Sequence, residues 1–115
     1  MNILAIGNSF SQDATRYLHG IALADGVHLK VVNLYIGGCS LETHWNNAVN
    51  DLKAYVYELN GAPTEKFVSI KDALESDKWD YITLQQVSHL SIDYNTYQPY
   101  LSNLSDYIKK YAPHA

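Results

Sequence analysis

The alternation of continuous apolar runs with helical stripes is the feature that most limits what this chain can fold into. Apolar runs at residues 2–6, 28–36 and 80–85 predict three buried strands. In other segments the apolar residues recur every three or four positions, which predicts helices. These predicted helices cover residues 11–24, 45–59, 69–76 and 97–111. The order predicts an α/β fold in which helices cover both faces of a parallel sheet.

Turn-forming residues separate the predicted elements. Gly7, Gly26 and Gly37-Gly38 follow apolar segments, and Asn60-Gly61-Ala62-Pro63 ends the second predicted helix. Residues 60–66 are predicted to form a flexible loop, and residues 90–95 are predicted to form another loop. The length of 115 residues predicts one domain, residues 1–115. Because doubly wound parallel sheets usually have about five or six strands, we expect a domain cut short after its third strand.

The composition argues against several classes of function. The net charge is −4 and the eight basic residues are scattered, which argues against binding to nucleic acid or to an anionic membrane surface. No apolar run approaches the roughly 18–20 residues that span a bilayer, and the N-terminus lacks the pattern of a signal peptide, so we expect a cytoplasmic protein. Cys39 is the single cysteine, which excludes an internal disulfide and argues against a zinc site.

Three segments rich in small or polar residues follow the three predicted strands. They are residues 7–11, 37–40 and 85–89. The carboxyl ends of parallel strands meet at one edge of a sheet, where ligands bind in α/β folds. Ser9 stands between a strand and a helix, a position suited to a nucleophile because the first helical amides are unpaired. The alternative is that Ser9 or Ser11 only caps the helix, as serine often does.

The other two segments offer groups that can stabilise a negative charge. Gly38 can present its backbone N–H to an oxyanion, although a plain strand-to-helix turn has the same composition. Gln85 or Gln86 can donate a side-chain amide, and the other of the two then faces a helix, because neighbours in a strand point in opposite directions. Cys39 can in principle be a nucleophile, but a lone cysteine beside glycines is more often a small buried residue.

Three stretches resemble the conserved blocks of the SGNH (GDSL-like) hydrolases. Residues 6–11, Ile-Gly-Asn-Ser-Phe-Ser, resemble the first block, with Asn8 in place of the usual Asp. Residues 32–38 resemble the second block, whose glycine matches Gly38. Residues 79–88 resemble the approach to the third block, with Gln-Gln-Val-Ser where Gly-x-Asn-Asp is usual. The resemblance covers nearly the whole chain and points to a divergent branch of the family.

The resemblance implies a three-layer, flavodoxin-like fold and a serine esterase or acylhydrolase without metal or organic cofactor. Its substrate would be a small-molecule or carbohydrate ester, including O-acetyl groups on carbohydrate. Ser9 would be the nucleophile, and the oxyanion hole would combine the Ser9 and Gly38 backbone with a side chain of the third block. Gln86 is the first choice for that side chain, with Ser88 and His89 as alternatives. Asn8, Ser88 and His89 are also candidate substrate contacts.

The histidine that the family uses as general base is the part of the resemblance that this sequence lacks. Asp25-Gly26-Val27-His28 matches the family's Asp-x-x-His by letter. A predicted helix of residues 11–24 is about 20 Å long at 1.5 Å per residue, so His28 lies at the edge of the sheet opposite Ser9. A general base must lie within about 3 Å of its proton donor. Asp25-Gly26 is therefore interpreted as a turn.

The remaining histidines do not supply an evident base either. His19 points away from the site, and His114 has no orienting carboxylate nearby in sequence. His44 and His89 are at the correct edge and are predicted to be rim or substrate-contact residues. We therefore expect little or no esterase activity from these 115 residues alone.

Two other functions are compatible with the same pattern. A flavodoxin-like binding module would hold a phosphate at residues 8–11, although the sequence has neither a Gly-x-x-x-x-Gly-Lys nor a Gly-x-Gly-x-x-Gly motif. An incomplete fragment would expose the edge of its third strand and form a homodimer through that edge.

Overall fold

One sheet of five strands organises the structure, a computed structural model that describes residues 1–115. The strand order is β4-β3-β2-β1-β5. The strands are β1 Asn2–Gly7, β2 Lys30–Tyr35, β3 Tyr55–Leu59, β4 Ala62–Val68 and β5 Tyr81–Leu84. The helices are α1 Ser9–Thr15, α2 Leu18–Ala24, α3 Leu41–Val49, α4 Ile70–Ser76 and α5 Tyr100–Tyr111. Two short 3₁₀ turns, Ser88–Leu90 and Tyr94–Thr96, lie between β5 and α5. The predicted α/β class is confirmed.

The sheet has five strands and is mixed, so the prediction of an all-parallel sheet that stops after three strands is wrong. The three predicted strands are present as β1, β2 and β5, and β1 pairs in parallel with both of the others. β3 and β4 form an antiparallel hairpin that pairs with β2. The end of the second predicted helix, residues 55–59, is β3, and most of the predicted loop of residues 60–66 belongs to β4.

Backbone conformation explains why the second predicted helix stops early. α3 ends at Val49, and Asp51 then has a φ of 49°, which a helix cannot accommodate. At the hairpin, Asn60 and Gly61 have φ values of 52° and 86°, as a two-residue turn between twisted strands requires. The Asn60 Oδ1 atom accepts a hydrogen bond of 2.9 Å from the backbone N–H of Val31. The turn is thereby attached to β2 as well as joining β3 to β4.

The two faces of the sheet are covered unequally. Helices α3, α4 and α5 enclose one face, where thirteen buried residues form the apolar core. These core residues are Leu4, Ile6, Val32, Leu34, Leu41, Ala48, Tyr55, Val68, Ile70, Ala73, Leu74, Trp79 and Leu104. The other face is covered by α1 and α2 only, and α2 has no buried residue. Helices lie on both faces, as predicted, but the second layer is thin.

A chain of buried polar side chains holds α1 on the thinner face. The Ser11 hydroxyl donates to Asn33 Oδ1 at 2.8 Å, and Asn33 Nδ2 donates to Glu58 at 2.6 Å. Gln12 Nε2 donates to the other Glu58 oxygen at 2.7 Å. Directed hydrogen bonds between α1, β2 and β3 therefore fix the position of the helix that begins at Ser9.

The first predicted helix, residues 11–24, is divided into α1 and α2. The Thr15 hydroxyl donates to the Ser11 carbonyl at 2.8 Å, a side-chain bond that competes with regular helix geometry. The break at Arg16 and Tyr17 also lies where the hairpin turn meets the helix, since Gly61 packs directly against the Arg16 carbonyl. None of the helices combines the length and the apolar character needed to span a bilayer.

Candidate active site

Ser9 is the first residue of α1 and is exposed at the carboxyl edge of β1. Its hydroxyl makes no side-chain hydrogen bond within the protein, so it is not the helix cap. Asn8 fills that role: it is buried, and its Oδ1 accepts from the Phe10 N–H at 3.0 Å. The backbone N–H of Ser9 lies in the first turn, where helical amides have no intrahelical partner. Ser9 therefore offers a free hydroxyl and a free amide at one point.

Asn8 also joins the two loops that the sequence predicted to form the site. Its Nδ2 donates to the carbonyl of Cys39 at 3.3 Å, in the loop that follows β2. Since Asn8 is only 1% exposed, its predicted role as a substrate contact is wrong. Its hydrogen bond to Cys39 instead holds the start of α1 against the loop that carries Gly38.

Gly38 presents its backbone to open space. Its φ of 65° lies in the left-handed region, which favours glycine. Its N–H belongs to no helix or strand and has no partner among the turn and loop hydrogen bonds. No protein atom lies within 4 Å of the position that a Cβ would take. The Gly38 amide is thus free to donate to a bound group.

Asn8→Asp tests the link between the two loops. The aspartate can still accept from Phe10, but it places a carboxylate oxygen against the Cys39 carbonyl, where two acceptors repel. We expect the free energy of unfolding at pH 7 to fall by about 2 kcal/mol, measured by urea denaturation. The matched control is Asn46→Asp, on the exposed side of α3. Equal stability of the two variants would show that the Asn8–Cys39 bond contributes nothing.

Gln86 was the first choice for the side chain that donates to the oxyanion, which requires a free amide. In the structure Gln85 has the free amide, and Gln86 does not. Gln86 is buried, and its Nε2 donates to the carbonyl and hydroxyl of Thr96, both at 3.1 Å. Its Oε1 accepts from the backbone N–H groups of Leu41 and Val87. In this state Gln86 has no donor left for an oxyanion. It holds the β5 loop against α3 instead.

Gln85 is the side-chain amide without partners, and the sequence did not distinguish it from Gln86. Its Oε1 is buried with no hydrogen-bond partner. It lines an open cavity of about 400 Å³ together with Phe10, Ser88, Ser91 and Tyr97. Ser88, a predicted substrate contact, thus lines a cavity that is also lined by Phe10, the residue after Ser9. The predicted contact His89 is exposed but does not line this cavity.

No histidine makes a hydrogen bond to Ser9. His19 Nδ1 is 2.6 Å from the Leu29 carbonyl, near the amino ends of the strands. His28 and His114 also lie at that opposite edge, His28 beside Met1 and His114 beside Trp79. The rejection of Asp25 and His28 as a catalytic pair agrees with this placement.

His44 is completely buried, so its prediction as a rim residue is wrong. Its Nδ1 lies 2.7 Å from the Tyr55 hydroxyl and 3.4 Å from the Cys39 sulfur. Burial lowers the pKa of His44 from 6.5 to about 4 and raises the pKa of Cys39 to about 12. A thiol with that pKa stays protonated at neutral pH and is a poor nucleophile. This cluster supports the back of the loop that carries Gly38.

The chemistry available at this edge is that of hydroxyl and amide groups. No three His, Cys, Asp or Glu side chains are grouped so that they could hold a metal ion. Ser9 and the Gly38 loop lie at the ends of two adjacent parallel strands, where Gly7 pairs with Tyr35. The arrangement provides an exposed hydroxyl and two unpaired main-chain amides, and no histidine is hydrogen-bonded to that hydroxyl.

Comparisons with other proteins give two similarities that extend over almost the whole chain. Residues 2–115 match the family described as "Domain of unknown function (DUF4886)". The crystal structure of a DUF4886 family protein from Bacteroides uniformis is similar with a TM-score of 0.90 and 43% sequence identity. That match covers 97% of this chain and 45% of the other, so this chain spans less than half the length of that protein. A comparison with curated proteins gives no match.

Proposed function

We propose that this chain, which belongs to the DUF4886 family, carries the nucleophile and two oxyanion donors of a serine esterase of the SGNH class. One observation carries the proposal. The hydrogen bond from Asn8 to the Cys39 carbonyl joins the chain neighbours of Ser9, which has an exposed hydroxyl, and of Gly38, which has an unpaired amide. A free hydroxyl next to free main-chain donors is what acyl transfer to serine requires.

The strand order supports the proposed flavodoxin-like type of fold. If the antiparallel hairpin is set aside, the parallel strands run β2-β1-β5, with their order reversing at β1. This is the beginning of the flavodoxin-like order, 2-1-3-4-5, in which ligands bind at the carboxyl ends beside the point of reversal. That point lies between β1 and β5, so Ser9 after β1 and Gln85 after β5 flank it, and Gly38 follows the neighbouring strand β2.

In the proposed reaction, the Ser9 oxygen attacks the carbonyl carbon of the ester while a base takes its proton. The carbonyl oxygen becomes negative and accepts hydrogen bonds from the Ser9 and Gly38 amides. Collapse of the intermediate breaks the bond to the alcohol, which leaves with a proton, and water then hydrolyses the acyl-serine. Because no histidine is hydrogen-bonded to Ser9, the proposed reaction requires a base that the structure does not place at this hydroxyl.

The proposed substrate is an ester of a hydroxylated alcohol, such as a carbohydrate O-acetyl group. The cavity lined by Phe10, the residue that follows Ser9, supports this choice. It combines two aromatic rings, Phe10 and Tyr97, with the hydroxyls of Ser88 and Ser91. Aromatic faces with hydroxyl and amide groups between them suit a ligand that has both apolar and polar sides.

Covalent labelling tests the proposed nucleophile. The chain is incubated with a fluorophosphonate, with and without added imidazole as a substitute base, and the modified residue is identified by mass spectrometry. We expect slow labelling that imidazole accelerates and that Ser9→Ala abolishes. Ser102→Ala, which removes an exposed serine on α5 outside the cavity, should leave the rate unchanged.

Two results would contradict the esterase proposal. Equal labelling of Ser88 and Ser9 would show that exposure alone decides reactivity. Absence of labelling together with saturable binding of inorganic phosphate, lost when Ser9 at the first position of α1 is changed to Pro, would favour the phosphate-binding alternative at residues 8–11.

A further inference from the structure

The parallel part of the sheet is uncovered on one side of β5. Parallel strands are almost always buried on both faces. On the side of α5, Ile82 and Leu84 pack against the apolar core. On the side of α1, Tyr81 and Thr83 are exposed, and Tyr81 is 60% accessible. One face of β5 therefore lacks the layer that such a strand normally has.

An apolar groove lies along this uncovered face. It has a volume of about 430 Å³ and runs between α1 and β5, with Ile3, Ala14, Leu18 and Thr83 among its lining residues. β5 is also an edge of the sheet, since it pairs with β1 only. An unpaired edge beside an apolar groove is a template for another segment of chain.

We propose that this groove and the β5 edge bind a polypeptide that adds a parallel strand to β5 and lays an apolar helix beside α1. The proposed partner is a polypeptide similar to the part of the Bacteroides uniformis protein that lies outside the match. That part is more than half of a protein whose matched portion has nearly the same fold as this chain. The inference is independent of the esterase proposal, because it concerns the sheet and not Ser9.

A second copy of this chain fits the groove less well. Strands are about 4.8 Å apart, and packed helices are about 8–10 Å apart. α1 packs over β1 and β2. A twofold pairing of two β5 edges would place the two α1 helices about four strand spacings apart, or roughly 19 Å. In such a homodimer a gap one helix wide would remain between the two α1 helices. A partner that supplies both a strand and a helix would leave no such gap.

Coexpression tests this inference. The tagged chain is produced together with the unmatched part of the Bacteroides uniformis protein, and the complex is measured by light scattering and by hydrogen exchange at β5. We expect a 1:1 complex with slowed exchange at residues 81–84. Ala14→Glu, which places a charge in the groove, should weaken the complex at least about tenfold. Ala54→Glu, at an exposed alanine outside the groove, is the matched control.

Three results would overturn the inference. The first is failure of the unmatched part to copurify with this chain. The second is a complex that Ala14→Glu and Ala54→Glu affect equally. The third is a homodimer of the chain that excludes the added polypeptide and is dissociated by Ala14→Glu, which would assign the groove to a second copy.

Discussion

Gly61→Ala is expected to lower the free energy of unfolding by about 3 kcal/mol or more. A Cβ at this position would lie 1.9 Å from the Arg16 carbonyl oxygen, which is a backbone atom and cannot rotate away. The φ of 86° adds the cost of a left-handed conformation, about 1–2 kcal/mol. Since small domains are stable by only about 5–15 kcal/mol, such a loss is readily measured by urea denaturation.

Gly26→Ala is the matched control for this substitution. Gly26 also has a positive φ, 77°, but no atom lies within 4 Å of the position of its Cβ. The variant should therefore lose only the conformational part, about 1–2 kcal/mol. If the two variants are equally destabilised, the contact between the hairpin turn and the end of α1 does not contribute to stability.

Lowering the pH from 7.5 to 4 is expected to destabilise the fold by about 3 kcal/mol through His44 alone. Burial lowers the pKa of His44 from 6.5 to about 4, so the unfolded chain binds a proton in this range while the folded protein does not. The free energy of unfolding is therefore undiminished by His44 well above pH 6.5, and it falls progressively toward pH 4. The surface ion pairs of Asp72 and Asp77 lower the pKa of each from 3.8, so their contributions are lost at lower pH.

Urea denaturation at several pH values between 4 and 7.5 measures this effect. His44→Gln should flatten the dependence on pH, because the glutamine does not titrate yet can still bond to the Tyr55 hydroxyl. His89→Gln removes an exposed histidine and should leave the slope unchanged. A slope that persists in His44→Gln would assign the pH dependence to other groups.

The β3–β4 hairpin shows where pattern reasoning from the sequence failed. Apolar residues at 45–59 keep a helical spacing, but residues 55–59 form a strand whose Tyr55 enters the core. The signal for the hairpin was present in Asn60-Gly61, the dipeptide favoured in two-residue turns. Over only five residues, the apolar pattern of a helix cannot be distinguished from that of a strand. Only the turn that follows could have distinguished the two.

The predictions of the helix cap and of the free side-chain amide failed for a different reason. Asn8 is as good a cap as serine, and it stands directly before the helix, so the sequence offered two equivalent choices. Gln85 and Gln86 are adjacent and chemically identical. The 3₁₀ turns between β5 and α5 position Thr96, and they therefore decide which of the two glutamines donates hydrogen bonds to it.

The sequence by itself determined the three parallel strands, the glycine-containing loops at their carboxyl ends, and the position of Ser9 among them. These features depend on neighbours in the chain, where hydrophobic period and glycine conformation act locally. The tertiary structure alone decided the burial of His44, the placement of Glu58 beneath α1 and the open groove along β5. Each of these depends on contacts between residues far apart in the chain, and the spacing of residues along a sequence does not specify such contacts.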